Sequence, residues 1–199
     1  MADRMSKAHA EVPRATVTDE ADVDAWSESR SVTLRLIRAI VAGGRTVPAL
    51  NAWFEREQLT RRLHAGVDLG VAVDTDDGLF VPVLRNIWDR TPDDLEQGLD
   101  KLKQDICART LPPSELMGQT ITLSNFGTIW GRFAELVVVP PQVAIVGVGR
   151  LYERVILKDG QPAAHGMLPL SVTFDHRAVT GAEAARFLRA VIEHLDKPR

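Results

Sequence analysis

SVTFDHRAVTGAEAARFL, residues 171–188, changes its apolar period in the middle. Val172, Thr173 and Phe174 suit a pleated, half-buried strand, whereas Ala184, Phe187, Leu188, Val191 and Leu195 recur at helical spacing as one apolar stripe. Between them Thr180 and Glu183 make a capping box, in which the hydroxyl accepts from a first-turn amide and the carboxylate reaches back to the cap. The segment predicts a strand, a sharp turn and a well-specified helix start, with Asp175, His176 and Arg177 at the turn. An imidazole has an ordinary pKa of about 6.5. Near the positive end of a helix it is pushed toward the neutral form and is available as a base. On pattern alone a histidine at a strand end is more often structural, so its role depends on context.

Outward from this segment the chain alternates strand and helix signals. Residues 11–26, EVPRATVTDEADVDAW, read as an extended, largely solvated strand, and 30–44, RSVTLRLIRAIVAGG, as a helix. In that helix Leu34, Ile37, Ile40 and Val41 share a face, and Gly43-Gly44 reads as its stop. DLGVAVDT and LFVPVLR, joined through Asp76-Asp77-Gly78, read as a hairpin, with Asp74, Asp76 and Asp77 explained by the turn. Thr91-Pro92 caps a third helix with acids in its first turn, ended before Pro112-Pro113. From Gln119 onward ITLSNF, AELVVV, QVAIVGVGRLYERVILK and MLPLSVTFD predict four to five strands broken by Gly127, Pro140-Pro141 and Asp159-Gly160. Trp130 and Phe133, flanking Gly131-Arg132, read as packing residues ahead of channel-lining ones. The expectation is an α+β fold, a two-layer sandwich of a mixed β-sheet and helices. A polar arm over residues 1–11 precedes a single domain over 12–199.

Composition narrows the function. A chain of 199 residues buries roughly 70% of its unfolded surface on folding. Hydrophobic residues at 45% and charged ones at 26% exclude a disordered, collagenous or coiled-coil chain. Lys+Arg 24 against Asp+Glu 27, net −3 with the signs interspersed, offers a polyanion no basic face, so nucleic-acid binding is not expected. Cys107 is the only cysteine. It permits no intramolecular disulfide and no zinc cluster, fits a reducing compartment, and reads as a small buried thiol on a helix. His9, His64, His165 and His194 have no partner at ligand spacing, so no metal is expected. No apolar run approaches the roughly 20 residues of a membrane span, and no apolar stretch follows the charged start. The expected location is the cytoplasm, without a membrane partner.

DHRAVTG at 175–181 resembles the DHR-x-x-D-G signature of the dihydrolipoyl acyltransferases, the core components of 2-oxo acid dehydrogenase complexes. Family-like blocks also stand in order at MSKAHAEVPRATV, VPALNAWF, DLGVAVDTDDGLFVPVLRN and ITLSNFGTIWGRFAELVVVPPQVAIVGVG, covering nearly all of the chain. The resemblance implies a chloramphenicol acetyltransferase-like, trimeric fold with active sites at subunit boundaries. It implies acyl transfer from dihydrolipoamide to coenzyme A, with the lipoyl group on a separate domain. His176 matches the catalytic histidine, which would take the proton of a thiol whose ordinary pKa is about 8.5. Ser124, in TLSNFG, matches the serine that donates to the tetrahedral oxyanion, although on pattern alone Ser124-Asn125 is an ordinary strand exit. Arg85, Asn125 and Gly127 are the expected coenzyme A-side residues, Gly127 chiefly by shaping backbone. Thr180 departs from the signature's Asp: it keeps a helix cap and removes a negative charge near His176. Arg14 departs from a more usual histidine in VPRAT.

The resemblance also implies partners: a homotrimer, a larger cubic or dodecahedral core, and the decarboxylase and dihydrolipoyl dehydrogenase components. None of Lys7, Lys101, Lys103, Lys158 and Lys197 stands in the Asp-Lys-Ala context of a lipoyl domain. The chain is therefore expected to be a catalytic core without lipoyl or subunit-binding domains. Residues 31–54 resemble branched-chain members, which favours a branched acyl group. Two other readings use the same residues: a structural core in which Thr180 marks lost catalysis, and a related acyltransferase acting on another small acceptor.

Overall fold

The computed structural model describes residues 2–26, 31–75 and 78–198. The segment 171–188 folds as its periods require. A strand, β11 (Gln161–Asp175), ends at Asp175, and a helix, α4 (Gly181–Leu195), starts behind the Thr180 cap with Ala184, Phe187, Leu188, Val191 and Leu195 buried. A second helix, α2 (Val32–Thr46), packs beside α4 and buries Leu34, Ile37, Ile40 and Val41. A third, α3 (Pro92–Cys107), begins at Thr91, whose Oγ1 accepts from the Asp94 amide, with Pro92 in its first turn. Leu95 and Leu99 of α3 join the same core as α2, α4 and the sheet.

Strand β1 (Arg14–Asp22) runs antiparallel to β11, pairing Arg14 with Asp175 and Asp22 with Met167. On the other side of β11 lies β9 (Ala144–Val148), then β8 (Ile121–Asn125), β4 (Leu69–Val71) and β7 (Val83–Leu84). β9, β8 and β4 are mutually parallel, while β11 and β7 run against them. Beyond β9 the sheet continues as β10 (Tyr152–Lys158), paired with residues 161–167 of β11. Two small hairpins stand apart: β2 (Ala52–Glu55) with β3 (Thr60–Leu63), and β5 (Val73–Thr75) with β6 (Gly78–Phe80). The result is the expected α+β sandwich with a mixed sheet.

Helices cover one sheet face, and after a 3₁₀ turn at Phe126–Thr128 residues 129–139 cross the other as irregular backbone. AELVVV was expected to be a strand, and the structure corrects this. The Ala134 amide donates to Ser171 Oγ (3.2 Å) and the Leu136 amide to Thr173 Oγ1 (3.1 Å). Buried hydroxyls of β11 thus satisfy those amides, and the segment lies over the sheet instead of joining it. Such close crossing needs glycine. A Cβ on Gly127 would stand 2.1 Å from the Gly149 carbonyl oxygen, and one on Gly149 would stand 1.9 Å from that of Arg132.

Four more expectations change. Residues 2–11, read as a polar arm, form a helix, α1 (Ala2–Glu11), because the polar stretch is rich in good helix formers and Ala8 gives it a buried contact. Gly43-Gly44 does not stop α2, which runs on to Thr46. Gly43 faces α4 instead, where a Cβ would lie 2.8 Å from both Phe187 and Val191. Cys107 is exposed, on the solvent side of the last turn of α3. Trp130 and Phe133 do not pack inside the chain and are 72% and 45% exposed. The hairpin around Asp74 is present; Asp76 and Asp77, named as its turn, lie outside the described residues.

Candidate active site

The last residue of β11, Asp175, is buried and receives Arg177 three ways, from its amide (3.0 Å), Nε (3.0 Å) and Nη2 (2.6 Å). The Asp175 bond is the main reason the Arg177 guanidinium holds its proton more tightly than usual. His176 is exposed between these two, its ring 5.5 Å from that of Phe174. Every amide from His176 to Thr180 has an acceptor. That of His176 bonds Pro13 (2.9 Å), those of Ala178 and Val179 bond the Asp175 carbonyl, and that of Thr180 bonds Glu183 Oε2 (2.8 Å). The turn's amides are thus all held, and the imidazole projects from it without a hydrogen-bond partner among the described residues. The capping box forms as the spacing predicts, with Thr180 Oγ1 accepting from the Glu183 amide at 3.2 Å. Burial raises the Glu183 carboxyl, but the bonds from Thr180 and then Arg61 outweigh it and hold the group below its ordinary value.

Ser124 is half-buried at the end of β8, opposite Gly147 of β9, which is in turn opposite Ser171 of β11. Its hydroxyl has no partner among the described residues. Because β8 and β11 run in opposite directions, their C-terminal ends lie at opposite edges of the sheet. His176 is five residues beyond Ser171 and two strands over from Ser124, which at about 3.3 Å per residue and about 4.8 Å per strand separates them by roughly 19 Å. One chain therefore does not bring His176 and Ser124 together.

The remaining predicted residues divide between the same two edges. Asn125 and Gly127 follow Ser124, Asn125 paired with Val148 and Gly127 against Gly149. Arg85 follows β7, at the His176 edge but four strands away. Its guanidinium bonds Asp68 (3.3 Å) and the carbonyls of Ser114 (2.9 Å) and Met117 (2.7 Å). Arg14 is tied to His9 at 2.5 Å, with Glu135 at 3.9 Å. Sequence reasoning missed Phe54 and Arg61 of the β2–β3 hairpin. Arg177 lies over the Phe54 ring, and Arg61 donates to the Ala178 carbonyl and to Glu183. They are more than a hundred positions from the turn they touch, and no local pattern announces such a contact.

An exposed imidazole on a fixed turn suits proton transfer, and an unpartnered hydroxyl at a strand end suits donation to a developing oxyanion. Past the Ser124 edge Ile129, Trp130 and Leu151 are exposed, and so are Val155 and Leu157 farther out along β10, more apolar surface than scattered single residues explain. Among the described residues, no group of three or more His, Cys, Asp or Glu could hold a metal ion, and no helix is long and apolar enough to cross a membrane.

A family model described as 2-oxoacid dehydrogenases acyltransferase (catalytic domain) matches residues 1–199. The lipoamide acyltransferase component of the branched-chain alpha-keto acid dehydrogenase complex of Pseudomonas putida is 35% identical over 217 residues, taking in 100% of this chain and 50% of that protein. The chain spans about half the length of the curated relatives it matches. The cubic core of the pyruvate dehydrogenase multienzyme complex matches with a TM-score of 0.90 at 28% identity, over 98% of this chain and 86% of that one. Azotobacter vinelandii dihydrolipoamide acetyltransferase, studied for the role of a serine, a histidine and an asparagine in its catalytic mechanism, matches with a TM-score of 0.87 at 27% identity, over 98% and 86%. Chloramphenicol acetyltransferase shares the fold, with a TM-score of 0.60 at 13% identity over 97% and 94%.

Proposed function

Because this chain belongs to the family of 2-oxoacid dehydrogenase acyltransferase catalytic domains, we propose that it moves an acyl group from dihydrolipoamide to coenzyme A. Residues 12–199 are the catalytic domain, and the lipoyl group arrives on another domain. His176 takes the proton from the coenzyme A thiol as the sulfur attacks the thioester carbonyl. Ser124 donates to the resulting oxyanion. The intermediate collapses with loss of the dihydrolipoyl sulfur, to which His176 returns the proton, so charge and protons balance over the cycle. The spacing supports these roles: Ser124 and His176 stand 52 positions apart with Thr180 four further on, as do the serine, histidine and asparagine of the Azotobacter enzyme. The residue there at the Thr180 position is an uncharged asparagine, which supports catalysis without a carboxylate at that place. Asn125 and Gly127 border the coenzyme A channel beside Ser124, and Arg85 lies at the channel's far margin.

The observation that carries this reading is the placement of an exposed imidazole and an unpartnered hydroxyl at opposite edges of one sheet. The site is completed by a second copy, whose His176 edge meets the exposed apolar rim near Ser124 of the first. A closed ring of three such heterologous contacts gives a trimer with three sites. The proposal extends to a larger cubic or dodecahedral assembly, to docking of decarboxylase and dihydrolipoyl dehydrogenase components, and to work in the cytoplasm. The 35% identity to a branched-chain relative supports a branched acyl group. Transfer from a branched acyl-dihydrolipoamide to coenzyme A, followed by thioester absorbance, tests the proposal. His176→Ala is expected to lose about 10²–10⁴-fold in kcat and Ser124→Ala about 10²–10³-fold. A wild-type protein without turnover would overturn the proposal and leave the structural core and the acyltransferase on another small acceptor.

A further inference from the structure

The turn that carries His176 is fastened from outside its own strand and helix. Arg61 Nη1 donates to the Ala178 carbonyl at 2.7 Å and to Glu183 Oε1 at 3.1 Å. The other Glu183 oxygen accepts from the Thr180 amide and hydroxyl at 2.8 and 2.9 Å. Directly opposite Arg61 in the hairpin register stands Phe54, with the Arg177 guanidinium 4.6 Å from its ring centroid. The hairpin is itself anchored, since the Phe54 amide bonds the Pro141 carbonyl and the Val143 amide bonds that of Ala52. The two residues that follow His176, Arg177 and Ala178, are thus each held by one of two facing residues of a single hairpin.

An exposed Arg–Glu pair by itself adds little to a protein's stability. What sets this one apart is the main-chain carbonyl it also holds, two residues after His176. Substrate geometry is sensitive at this range, since about 1 Å of misplacement can cost about 10²-fold in rate.

We propose that Arg61 is a positioning residue for the acyl transfer: it pins the Ala178 carbonyl and the Glu183 carboxylate, so that the His176 imidazole meets the thiol in one orientation. This rests on His176 being the base. The test compares wild type, Arg61→Met and Arg61→Lys in the full chain, reading kcat, KM for coenzyme A and amide hydrogen exchange. Arg61→Met is expected to lower kcat about tenfold, with KM changed by less than about twofold, as a displaced base predicts. Exchange is expected to quicken about tenfold at residues 177–180 alone, because the opening is local. Arg61→Lys, which keeps the cation, is expected to recover most of both. Unchanged exchange at 177–180 in Arg61→Met overturns the inference. So does quicker exchange there with unchanged kcat, or quicker exchange throughout the chain, which would mark a general stabilising role. If the wild type transfers no acyl group, the proposed function fails, while the exchange data still decide whether Arg61 clamps the turn.

Discussion

Thr180 and Glu183 divide between them the work of starting α4 and closing the His176 turn. The threonine supplies the cap hydroxyl, and the glutamate returns one oxygen to Thr180 and the other to Arg61. Because its folded-state pKa is lowered from 4.5, Glu183 adds stability that is fully present above that value. The contribution is lost as pH falls through the folded value, where the unfolded chain binds the proton first. Melting temperature measured between neutral pH and the acid range is therefore expected to fall less steeply in Glu183→Gln than in wild type. Equal slopes would show that the carboxylate is not held as the geometry indicates. The Thr180–Glu183 box was legible in the sequence because both partners lie within one helical turn. Arg61 was not, because a side chain reaching across from a distant hairpin leaves no periodic trace.

At the scale of elements, what could be read was what is local. The strand–turn–helix at 171–188 carries its own period change and cap, and α3 carries a Thr-Pro start, so both stand where the pattern puts them. AELVVV has a strand's composition, yet its amides go to Ser171 and Thr173 hydroxyls that only the folded sheet presents. Gly43-Gly44 has a stop signal's composition, yet Gly43 is the point where α2 and α4 touch. Gly43→Val is expected to cost about 1–3 kcal/mol in urea unfolding, by forcing Phe187 and Val191 off their packing. A change within experimental error would mean that the helices part without penalty.

At the scale of the whole molecule, the direction of the strands decides the outcome. Antiparallel pairing of β11 with β9 sends His176 and Ser124 to opposite edges, and no feature of either residue's neighbourhood in the sequence reveals this. The exposure of Trp130 and Leu157 belongs to the same scale: in the proposed trimer another copy covers them, and nothing within one chain does. Trp130→Glu with Leu157→Glu is expected to yield a folded monomer by sedimentation, with acyl transfer lost alongside the trimer. A fully active monomer would remove the need for a second chain.

The most direct measurement mixes two impaired variants. Ser124→Ala and His176→Ala are each expected to be slowed at least about 10²-fold as homotrimers, but coexpressed at equal amounts they share subunits. If each site takes His176 from one chain and Ser124 from its neighbour in a closed ring, about a quarter of the sites regain both intact groups. Recovery of about a quarter of wild-type kcat in the mixed trimers is the predicted result. Mixed trimers that form and stay as inactive as their parents would contradict the account, because both groups would then have to come from one chain.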